Sequence, residues 1–541
     1  SDIVQVVARL PFGVCEREAQ VAGRDRRDQR RLLLVVAAAA QEAAAEYRAA
    51  VSPAAAVHDV LHMEVLERRD LSFTLQLRQP LEGEAAPPGC SLLKLYLRGE
   101  RLVLSEFMPI LEDARVKVLE VDTFGVRTAE PRYIYSFAVQ TRDGAPIPDD
   151  VAPLLAEQLL AVRAGDAVED PFNGLTLAAG LRWREADLLR AYSEYAFQVG
   201  AIPSRIAVSR ALAAYPTVTK LLVELFHARF GPEAGKAKEA QVRGRVAAAI
   251  EEVTSLADDR ALRRILALME GTVRTNYFRT GGADPTARSG GVPYMSFKIR
   301  SADVDELKKT RLLYEIFVHS SRMEGIHLRG APVSRGGIRW SDRPDDFRTE
   351  VLGLVTTQMV KNAVIVPNGS KGGFITRKRF DDREQMGAEA ADQYRTLMRG
   401  MLDITDNLVE GRVVPPAGVV RHDGDDPYLV VAADKGTAHL SDVANGVAAE
   451  YGFWLDDAFA SGGSNGYDHK KEGITARGGW ECVRRHFREM GKDIQKEPFT
   501  VAGIGDMSGD VFGNGMLLSR QIRLLAAFDH RHIFIDPDPD A

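Results

Sequence analysis

The sequence predicts a multidomain protein that combines α/β and α+β units. Three observations support this. The chain has 541 residues, which is too many for a single core when a domain averages about 150 residues. Near residue 70 the local pattern changes from helical to strand-like. After residue 290 the predicted strands and helices alternate, which is typical of an α/β sheet.

The first two predicted units are a helical segment over residues 1–65 and an α+β module over residues 66–148. Residues 29–51 are rich in Ala, Leu, Glu and Arg, which favours helix. Four strand-like runs follow: SFTLQL, SLLKLYL, VKVLEVDTF and RYIYSFAV. Helical patterns at residues 102–113 and 150–162 complete a ferredoxin-like module. Its role is either structural or the sensing of a small molecule.

A helical domain is predicted over residues 149–285 and an α/β domain over residues 286–495. Runs such as ADLLRAYSEYAFQVG repeat apolar residues every three or four positions, so Tyr192, Tyr195 and Phe197 are predicted to be core residues. A loop rich in Gly, Ala, Pro and Ser at 280–292 marks the boundary. The α/β domain should contain, in order, a strand YMSFKI, a helix at 344–359, a strand NAVIVP and a long helix at 382–409.

Composition argues against several classes of function. The net charge of -6 is small for this length, so bulk attraction to nucleic acid or membranes is not expected. The three cysteines, Cys15, Cys90 and Cys482, lie far apart, which indicates neither a disulfide framework nor a thiolate zinc site. The longest apolar run, at 32–40, is too short for a bilayer, and the histidines lack HExxH spacing. We expect a cytoplasmic protein without a metal site.

The most informative run brings cations and glycines together. It reads PVSRGGIRWSDRPDDFRTEVLGLVTTQMVKNAVIVPNGSKGGF. Glycines such as Gly336 and Gly337 let backbone approach a ligand closely. Arg335 offers a planar guanidinium and Lys361, predicted just past the end of a helix, a compact ammonium, so together they suit a dicarboxylate. Either cation could instead pair with a structural acid.

Lys371 and Asp434 are the candidate proton-transfer groups. Lys371 lies in NGSKGGF, and burial in a cleft disfavours the charged form of a lysine, which allows proton exchange near neutral pH. Asp434 follows an apolar strand at 428–433, where working residues of α/β sheets occur. A turn lysine and a helix-capping aspartate are the structural alternatives.

The last predicted unit, residues 496–541, has the pattern that opens a dinucleotide-binding Rossmann domain. In FTVAGIGDMSGDVFGNGMLL, Gly503 and Gly505 follow a short strand and precede an amphipathic helix. Asp536 ends the next strand-like run, where a carboxylate could accept hydrogen bonds from ribose hydroxyls and favour NAD over NADP. The fold needs more strands than are visible, so a truncated domain is expected.

Four runs carry a family resemblance: RGGIRWSDRPDDFRTEVLGLV, VKNAVIVPNGSKGGF, ADKGTAHLSDVAN and GIGDMSGDVFGNGML. Together they resemble the large bacterial NAD-specific glutamate dehydrogenases. The resemblance implies reversible oxidative deamination of L-glutamate to 2-oxoglutarate and ammonium, with NAD accepting the hydride. It also implies that Lys371 is the catalytic lysine, Asp434 the proton-transferring aspartate and Lys361 the ligand of the substrate α-carboxylate.

The resemblance extends to other residues. Arg335, with Gly336 and Gly337 beside it, falls where the smaller enzymes have a lysine for the side-chain carboxylate. Thr475, in ITARGG, resembles a threonine near the nicotinamide. By the same resemblance the cofactor-binding residues are Gly503, Gly505, Asp506, Met507, Ser508 and Asp536.

At the level of domains, the resemblance implies that residues 66–148 are ACT-like and residues 286–495 bind substrate. It also implies a homo-oligomer and regulation by an amino-acid effector, although no residue identifies the effector.

Two alternatives stay open. Another amino-acid dehydrogenase would have an apolar side-chain pocket, and Arg335 argues against it. Alternatively, the chain is a regulatory and substrate-binding piece that is inactive by itself because most of its nucleotide domain is absent. Its start at Ser1 without Met, and its stop soon after a strand-like run, agree with a piece of a larger protein. In that case the 541 residues would turn over glutamate poorly or not at all.

Overall fold

The structure is a computed structural model, and it describes residues 47, 51–126, 130–279, 292–362, 368–434, 440–466, 469–505, 511–529 and 531–540. The predicted helical segment over residues 1–65 lies mostly outside these ranges. Its described part contains most of helix α1 (Pro53–Arg68), which has proline in its first turn. The Ser52 side chain caps this helix by accepting a hydrogen bond from the Ala55 amide, 3.3 Å away.

A four-stranded antiparallel sheet and two helices form the module that follows. Its elements are β1 (Phe73–Arg78), β2 (Ser91–Arg98), α2 (Leu104–Asp113), β3 (Val116–Val126), β4 (Arg132–Thr141) and α3 (Ala152–Ala164). Helices α2 and α3 cover one face of the sheet, and α1 packs on the other. The four predicted strands and both helices are confirmed.

The strand order of this sheet is β1-β2-β4-β3. In a ferredoxin-like βαββαβ sheet the strands have the same spatial arrangement. There, however, the edge strand next to the first strand is the last strand in the chain. Here that edge position is filled by β1, which precedes the other strands. The module is therefore α+β as predicted, but its edge strand comes from the beginning of the segment, whereas the ferredoxin-like edge strand comes from the end.

A layer of helices follows. They are α4 (Gly174–Ala179), α5 (Trp183–Gln198), α6 (Arg205–Ala214), α7 (Pro216–Phe230), α8 (Lys236–Glu251) and α9 (Leu256–Gly271). Tyr192 and Tyr195 are buried in the core and Phe197 packs against it, as predicted. Among the described residues, no single helix is both long and apolar enough to cross a membrane. Only α6 and α7 taken together pass that test, and the chain bends by 103° between them.

An eight-stranded mixed sheet forms the centre of the molecule, in the order β14-β13-β9-β10-β8-β7-β6-β5. Strands β5 to β8 and β10 pair antiparallel, whereas β10, β9, β13 and β14 run parallel. The strands are β5 (Thr272–Thr275), β6 (Met295–Arg300), β7 (Tyr314–His319), β8 (Met323–Arg329), β9 (Gly337–Trp340), β10 (Ser370–Thr376), β13 (Val431–Ala433) and β14 (Ala460–Ser461). A separate hairpin contains β11 (Asn407–Val409) and β12 (Arg412–Val414).

Helices pack on both faces of this sheet. They are α10 (Asp305–Lys308), α11 (Phe347–Asn362), α12 (Arg383–Leu402) and α13 (Ser441–Glu450). A further short helix, α14 (His469–Glu472), follows later in the chain. One face shares a hydrophobic core with α11 and the helical layer, and the other packs against α12 and α13. The helical layer and the sheet thus share a core, even though a Gly- and Pro-rich loop separates them in sequence.

Two expectations for this region concern the strand NAVIVP and the helix that follows it. The predicted strand NAVIVP lies outside the described residues, apart from Asn362, which ends α11. The long helix was predicted to reach residue 409, which is wrong, because it ends at Leu402 and Asp403 caps it. The chain then enters the β11 and β12 hairpin. Tertiary pairing therefore ended a helix that local propensity would have extended.

The last described elements are α15 (Ile474–Glu489), β15 (Phe499–Ile504), α16 (Phe512–Met516), β16 (Ile522–Phe528) and β17 (Ile533–Ile535). Strands β15 and β16 are parallel and flank α16 in sequence. The sequence prediction had taken the run ended by Asp536 as the second strand, which is wrong, because β16 comes before it. Strand β17 returns antiparallel to β16.

Candidate active site

Lys371 and Asp434, predicted separately, form a contact pair. The Lys371 Nζ lies 2.7 Å from Asp434 Oδ1 and 2.6 Å from Asp434 Oδ2. The Lys371 side chain is 9% exposed and that of Asp434 22% exposed. Both side chains reach across β9, because Gly372 of β10 and Ala433 of β13 each pair with Ile338.

Gly336 and Gly337 make this contact possible. A Cβ on Gly337 would lie 2.4 Å from Asp434 Oδ1, so the carboxylate occupies the space that a side chain would need. A Cβ on Gly336 would lie 1.5 Å from the Ser370 carbonyl oxygen, so here two backbones approach closely. Both predicted glycines therefore lie beside the pair, and each is required by packing.

Lys371 lies inside a strand, although its flanking glycines suggested a turn. A Cβ on Gly372 would lie 2.3 Å from Ile338 Cδ1, and one on Gly373 2.5 Å from Val351 Cγ2. Neighbours on both faces of β10 therefore fill the space beside these glycines. The lysine is held by the sheet, which gives it a more fixed position than a turn would.

Arg335 extends the register of β9. It forms a parallel bridge with Gly369, and its carbonyl oxygen accepts a hydrogen bond from the Ser370 amide at 2.9 Å. Alternate residues of an extended chain point to the same face, so Arg335 shares a face with Gly337, over which Lys371 and Asp434 meet. The guanidinium Nη2 donates to Ser461 Oγ at 3.3 Å.

Lys361 belongs to the last turn of α11, which ends at Asn362. The expectation that it follows the helix is therefore wrong, because α11 extends beyond its predicted end at residue 359. Its side chain lies outside the described residues.

The cofactor candidates lie around β15 and α15. Thr475 is in the first turn of α15, and the preceding Gly473 adopts a left-handed conformation with φ of 59°. A Cβ on Gly473 would lie 3.3 Å from the side-chain nitrogen Nδ2 of Asn514, so the start of α15 contacts α16. A Cβ on Gly503 would lie 1.9 Å from the Phe512 ring, which shows that strand and helix pack closely there. The nearby residues Asp506, Met507 and Ser508 lie outside the described residues.

Asp536 does not lie at the edge where Gly505 lies. Its amide donates to the Leu525 carbonyl oxygen at 2.8 Å, whereas the Gly505 amide donates to the Phe528 carbonyl oxygen at 2.9 Å. The sequence prediction for Asp536 was therefore wrong in its geometry, because β17 runs antiparallel to β16.

The carboxylate that does end β16, next to Gly505, belongs to Asp529. Hydrogen bonds from the Arg531 amide and from His532 lower the pKa of Asp529 to about 2. The signal for it was available in the sequence, since IRLLAAF is the first strand-like run after the glycines.

Parallel strands β15 and β16, and the close contact between Gly503 of β15 and Phe512 of α16, are elements that the predicted dinucleotide site needs. The site itself stays a prediction. Within the described ranges, no group of three or more His, Cys, Asp or Glu side chains is placed to hold a metal ion. Lys371 and Asp434 form an ion pair, and Arg335 adds a cation to the same face of the sheet.

Sequence reasoning missed Tyr394, a buried residue of α12. Its ring lies 5.9 Å from that of Phe374. Burial raises the pKa of Tyr394, and the Asp434 charge adds to this effect, so the tyrosine lies within the electrostatic reach of the pair. A helical tyrosine carries no sequence signal that distinguishes it from an ordinary core residue.

Comparisons with known proteins give consistent matches. Residues 245–541 match the family described as bacterial NAD-glutamate dehydrogenase, catalytic domain. Residues 167–232 match glutamate dehydrogenase helical motif 3, and residues 72–152 match the glutamate dehydrogenase ACT3 domain.

Curated relatives are similar over most of this chain. It is 48% identical over 509 residues to the NAD-specific glutamate dehydrogenase of Pseudomonas aeruginosa. It is 48% identical over 516 residues to that of Mycobacterium tuberculosis. Each alignment covers 92% of this chain, which spans only 31% of the length of these relatives.

A solved glutamate dehydrogenase structure from Peptoniphilus asaccharolyticus aligns with a TM-score of 0.29 and 13% identity, over 55% of this chain and 62% of that one.

Proposed function

The chain belongs to the bacterial NAD-glutamate dehydrogenase family, and from this premise we propose that it carries the glutamate site of such an enzyme. The proposed reaction converts L-glutamate, water and oxidised NAD to 2-oxoglutarate, ammonium, reduced NAD and a proton. The observation that carries the proposal is the shielded contact of Lys371 with Asp434 over Gly337. Opposed acid and base groups of this kind suit the proton transfers that deamination requires.

Lys371 and Asp434 divide the proton transfers between them. Lys371 activates the attacking water and steadies the carbinolamine oxygen, and Asp434 moves protons to and from the substrate nitrogen. Both carboxylate oxygens lie within hydrogen-bond distance of the Lys371 Nζ, so a proton passes between the two groups without backbone movement. The strands that carry them keep this spacing fixed.

Arg335 and Lys361 bind the two ends of the substrate in this proposal. Arg335 takes the side-chain carboxylate, since it shares a face with the pair and a guanidinium can bind a carboxylate through two N–H groups. Lys361 takes the α-carboxylate. Gly336 and Gly337, predicted to bind substrate, act in this proposal by leaving room beside Arg335 for the Ser370 backbone and for the Asp434 carboxylate.

In the same proposal the nucleotide would bind at β15, α15 and α16. Gly503 and Gly505 would hold the pyrophosphate and Thr475 the nicotinamide, which would supply the hydride acceptor. Asp529 replaces Asp536 as the candidate partner of the ribose, because it ends the strand parallel to β15. Asp506, Met507 and Ser508 stay predictions.

Other expectations from the sequence also stay predictions. They are the cytoplasmic location, the homo-oligomer, the amino-acid effector and the residue limits of the domains. For the α+β module, the family match supports the ACT-like assignment, and its effector stays a prediction.

The proposed function is tested with the complete parent chain, because this chain spans 31% of the length of the relatives. We expect Lys371→Ala to lower glutamate-dependent NAD reduction by about 10²- to 10⁴-fold, the usual contribution of a proton-transfer group. Circular dichroism should show retained folding. The matched control is Lys378→Ala, an exposed lysine just after the same strand, which should keep full activity. Unchanged turnover in Lys371→Ala would refute the assignment.

A further inference from the structure

We propose that Ser461 is a positioning residue that orients Arg335 and thereby sets the preference for dicarboxylate over monocarboxylate amino acids. The inference rests on the proposed function, in which Arg335 binds the side-chain carboxylate. Ser461 lies in the second position of β14, at the edge of the central sheet, and 126 residues separate it from Arg335. Its role was not visible in the sequence.

The register of the parallel strands places Ser461 in line with the site. Ser461 pairs with Ala432, and Ala432 pairs with Gly337. Gly337 is the residue over which the Lys371 and Asp434 contact lies. Side chains paired across neighbouring strands point to the same face, so only an alanine and a glycine separate Ser461 from that contact within the row. Because Ala432 and Gly337 have small or no side chains, the sheet surface between Ser461 and the contact is not covered by a bulky residue of this row.

Ser461 is held in place by α13. The Asn445 side chain donates to the Ala460 carbonyl oxygen at 3.0 Å and accepts from the Ala460 amide at 2.7 Å, as a neighbouring strand would. The Ser441 hydroxyl donates to the Ser461 carbonyl oxygen at 3.0 Å. A strand of two residues gains most of its order from such contacts, because its own ladder is short. We infer that α13 fixes the height and direction of the Ser461 hydroxyl.

The hydroxyl in turn restricts Arg335. The Arg335 Nη2 donates to Ser461 Oγ at 3.3 Å, across the intervening strand β13. A long arginine side chain has many rotamers, and an acceptor fixed by the sheet favours one of them. A guanidinium set in advance loses less side-chain freedom when it binds a carboxylate. Only substrates with a second carboxylate gain from this, so the effect is one of selectivity.

The test is a calorimetric titration of the complete parent chain with L-glutamate and with L-norvaline. L-norvaline has a methyl group in place of the side-chain carboxylate. We expect Ser461→Ala to weaken glutamate binding by about two- to tenfold, the usual effect of having to order one long side chain on binding, with norvaline binding unchanged. Ser461→Thr should restore the preference because it keeps the hydroxyl. In the turnover assay, Ser461→Ala should raise the glutamate KM and leave kcat within about twofold of wild type.

Ser464→Ala is the matched control. Ser464 is exposed in the same loop, and its backbone amide, which the substitution keeps, makes the contact with Asp442. Equal losses for glutamate and norvaline in Ser461→Ala, or an unchanged glutamate preference, would overturn the inference alone. A wild-type chain that does not bind glutamate would overturn the proposed function, and the inference with it.

Discussion

Gly337 decides whether Lys371 and Asp434 can meet. The carboxylate lies where a Cβ would stand, 2.4 Å from its Oδ1, so any larger residue displaces it from above β9. The site therefore depends on a residue that has no side chain to contribute. The same close packing applies to Gly372 and Gly373, which allow Ile338 and Val351 to contact β10.

The residues of the pair were predictable, and their geometry was not. Glycines beside Lys371 and a strand before Asp434 were visible in the sequence. That the two side chains meet over β9 depends on a strand order that places β9 between β10 and β13. Such order arises from long-range pairing, to which local patterns are blind. Asp536 was misplaced for the same reason, because nothing local shows that β17 reverses direction.

Asp113, at the end of α2, makes the free energy of unfolding depend on pH. Burial raises its pKa from 3.8 to about 6, with the charges of Asp170, Glu169 and Glu112 adding to the shift and Arg190 opposing it. The folded state therefore binds this proton more tightly than the unfolded state does. Stability from this group is fully present below about pH 4 and is lost as the pH rises through about 6.

We expect Asp113→Asn to stabilise the protein above pH 6 and to have little effect at pH 4, because Asn cannot ionise. The measurement is the midpoint of urea unfolding for both proteins at about pH 4 and about pH 7.5. Glu106→Gln, an exposed change on the same helix, should show no such pH dependence. An Asp113→Asn effect of equal size at both pH values would contradict this account.

At the scale of elements, α5 holds the start of α11 against the sheet. The Tyr195 hydroxyl donates to Glu315 at 2.6 Å, and the Arg348 guanidinium donates to both oxygens of the same carboxylate at 2.9 Å and 2.6 Å. The Gln198 side chain donates to the Pro344 carbonyl oxygen at 2.8 Å. The first turn of α11 is thus fixed by a helix from the preceding layer and a strand of the sheet.

Arg348→Met should destabilise the protein by about 3–5 kcal/mol, because Glu315 stays fully buried and loses its charge partner. Chemical denaturation measures this loss. Arg343→Met is the matched control on an exposed pair with Asp346, and it should cost about 0–1 kcal/mol. Equal effects of the two substitutions would show that the buried pair adds no more than a surface one.

Elements were predictable where local pattern and tertiary demand agreed. The four strands and two helices of the α+β module have continuous apolar runs or helical periodicity, and all six were found. Strand β14 has only two residues, and no strand-like run in the sequence marks it. Its existence depends on neighbours, such as the Asn445 side chain that completes the edge of β14. No window of local sequence contains that information.

At the scale of the whole molecule, the family was predictable from the sequence alone. Four ordered runs indicated it, and the matches to residues 72–152, 167–232 and 245–541 confirm it. The packing of the helical layer was less accessible. One hydrophobic cluster has members from Phe172 to Ile375, so α5, α7 and α9 lie on the same core as β6 to β8. A boundary in sequence composition need not be a boundary in packing.

Burial is distributed unevenly over the molecule. Strands β7 and β8 are almost entirely buried. In the unit formed by β15, α16, β16 and β17, by contrast, Ile504 is 86% exposed and Ile533 71% exposed. The cluster that anchors β15 to α15 has only three buried members among the described residues, Trp480, Ile494 and Phe499. Backbone hydrogen bonds that are not covered by packed side chains open at low free-energy cost.

We therefore expect amides of β15 and β16 to exchange with deuterium faster than those of β7 and β8. The measurement is a brief labelling of the intact chain, followed by mass spectrometry of its peptides. Strands β2 and β4 provide the control, since their sheet lies far along the chain but is packed on both faces. They should exchange as slowly as β7 and β8.

Saturating NAD should slow exchange at β15 selectively if the glycines there border the pyrophosphate, because a ligand that binds only the closed form stabilises it. Equal protection of β15 and β7 without NAD would mean that these exposed strands are held by contacts other than side-chain burial.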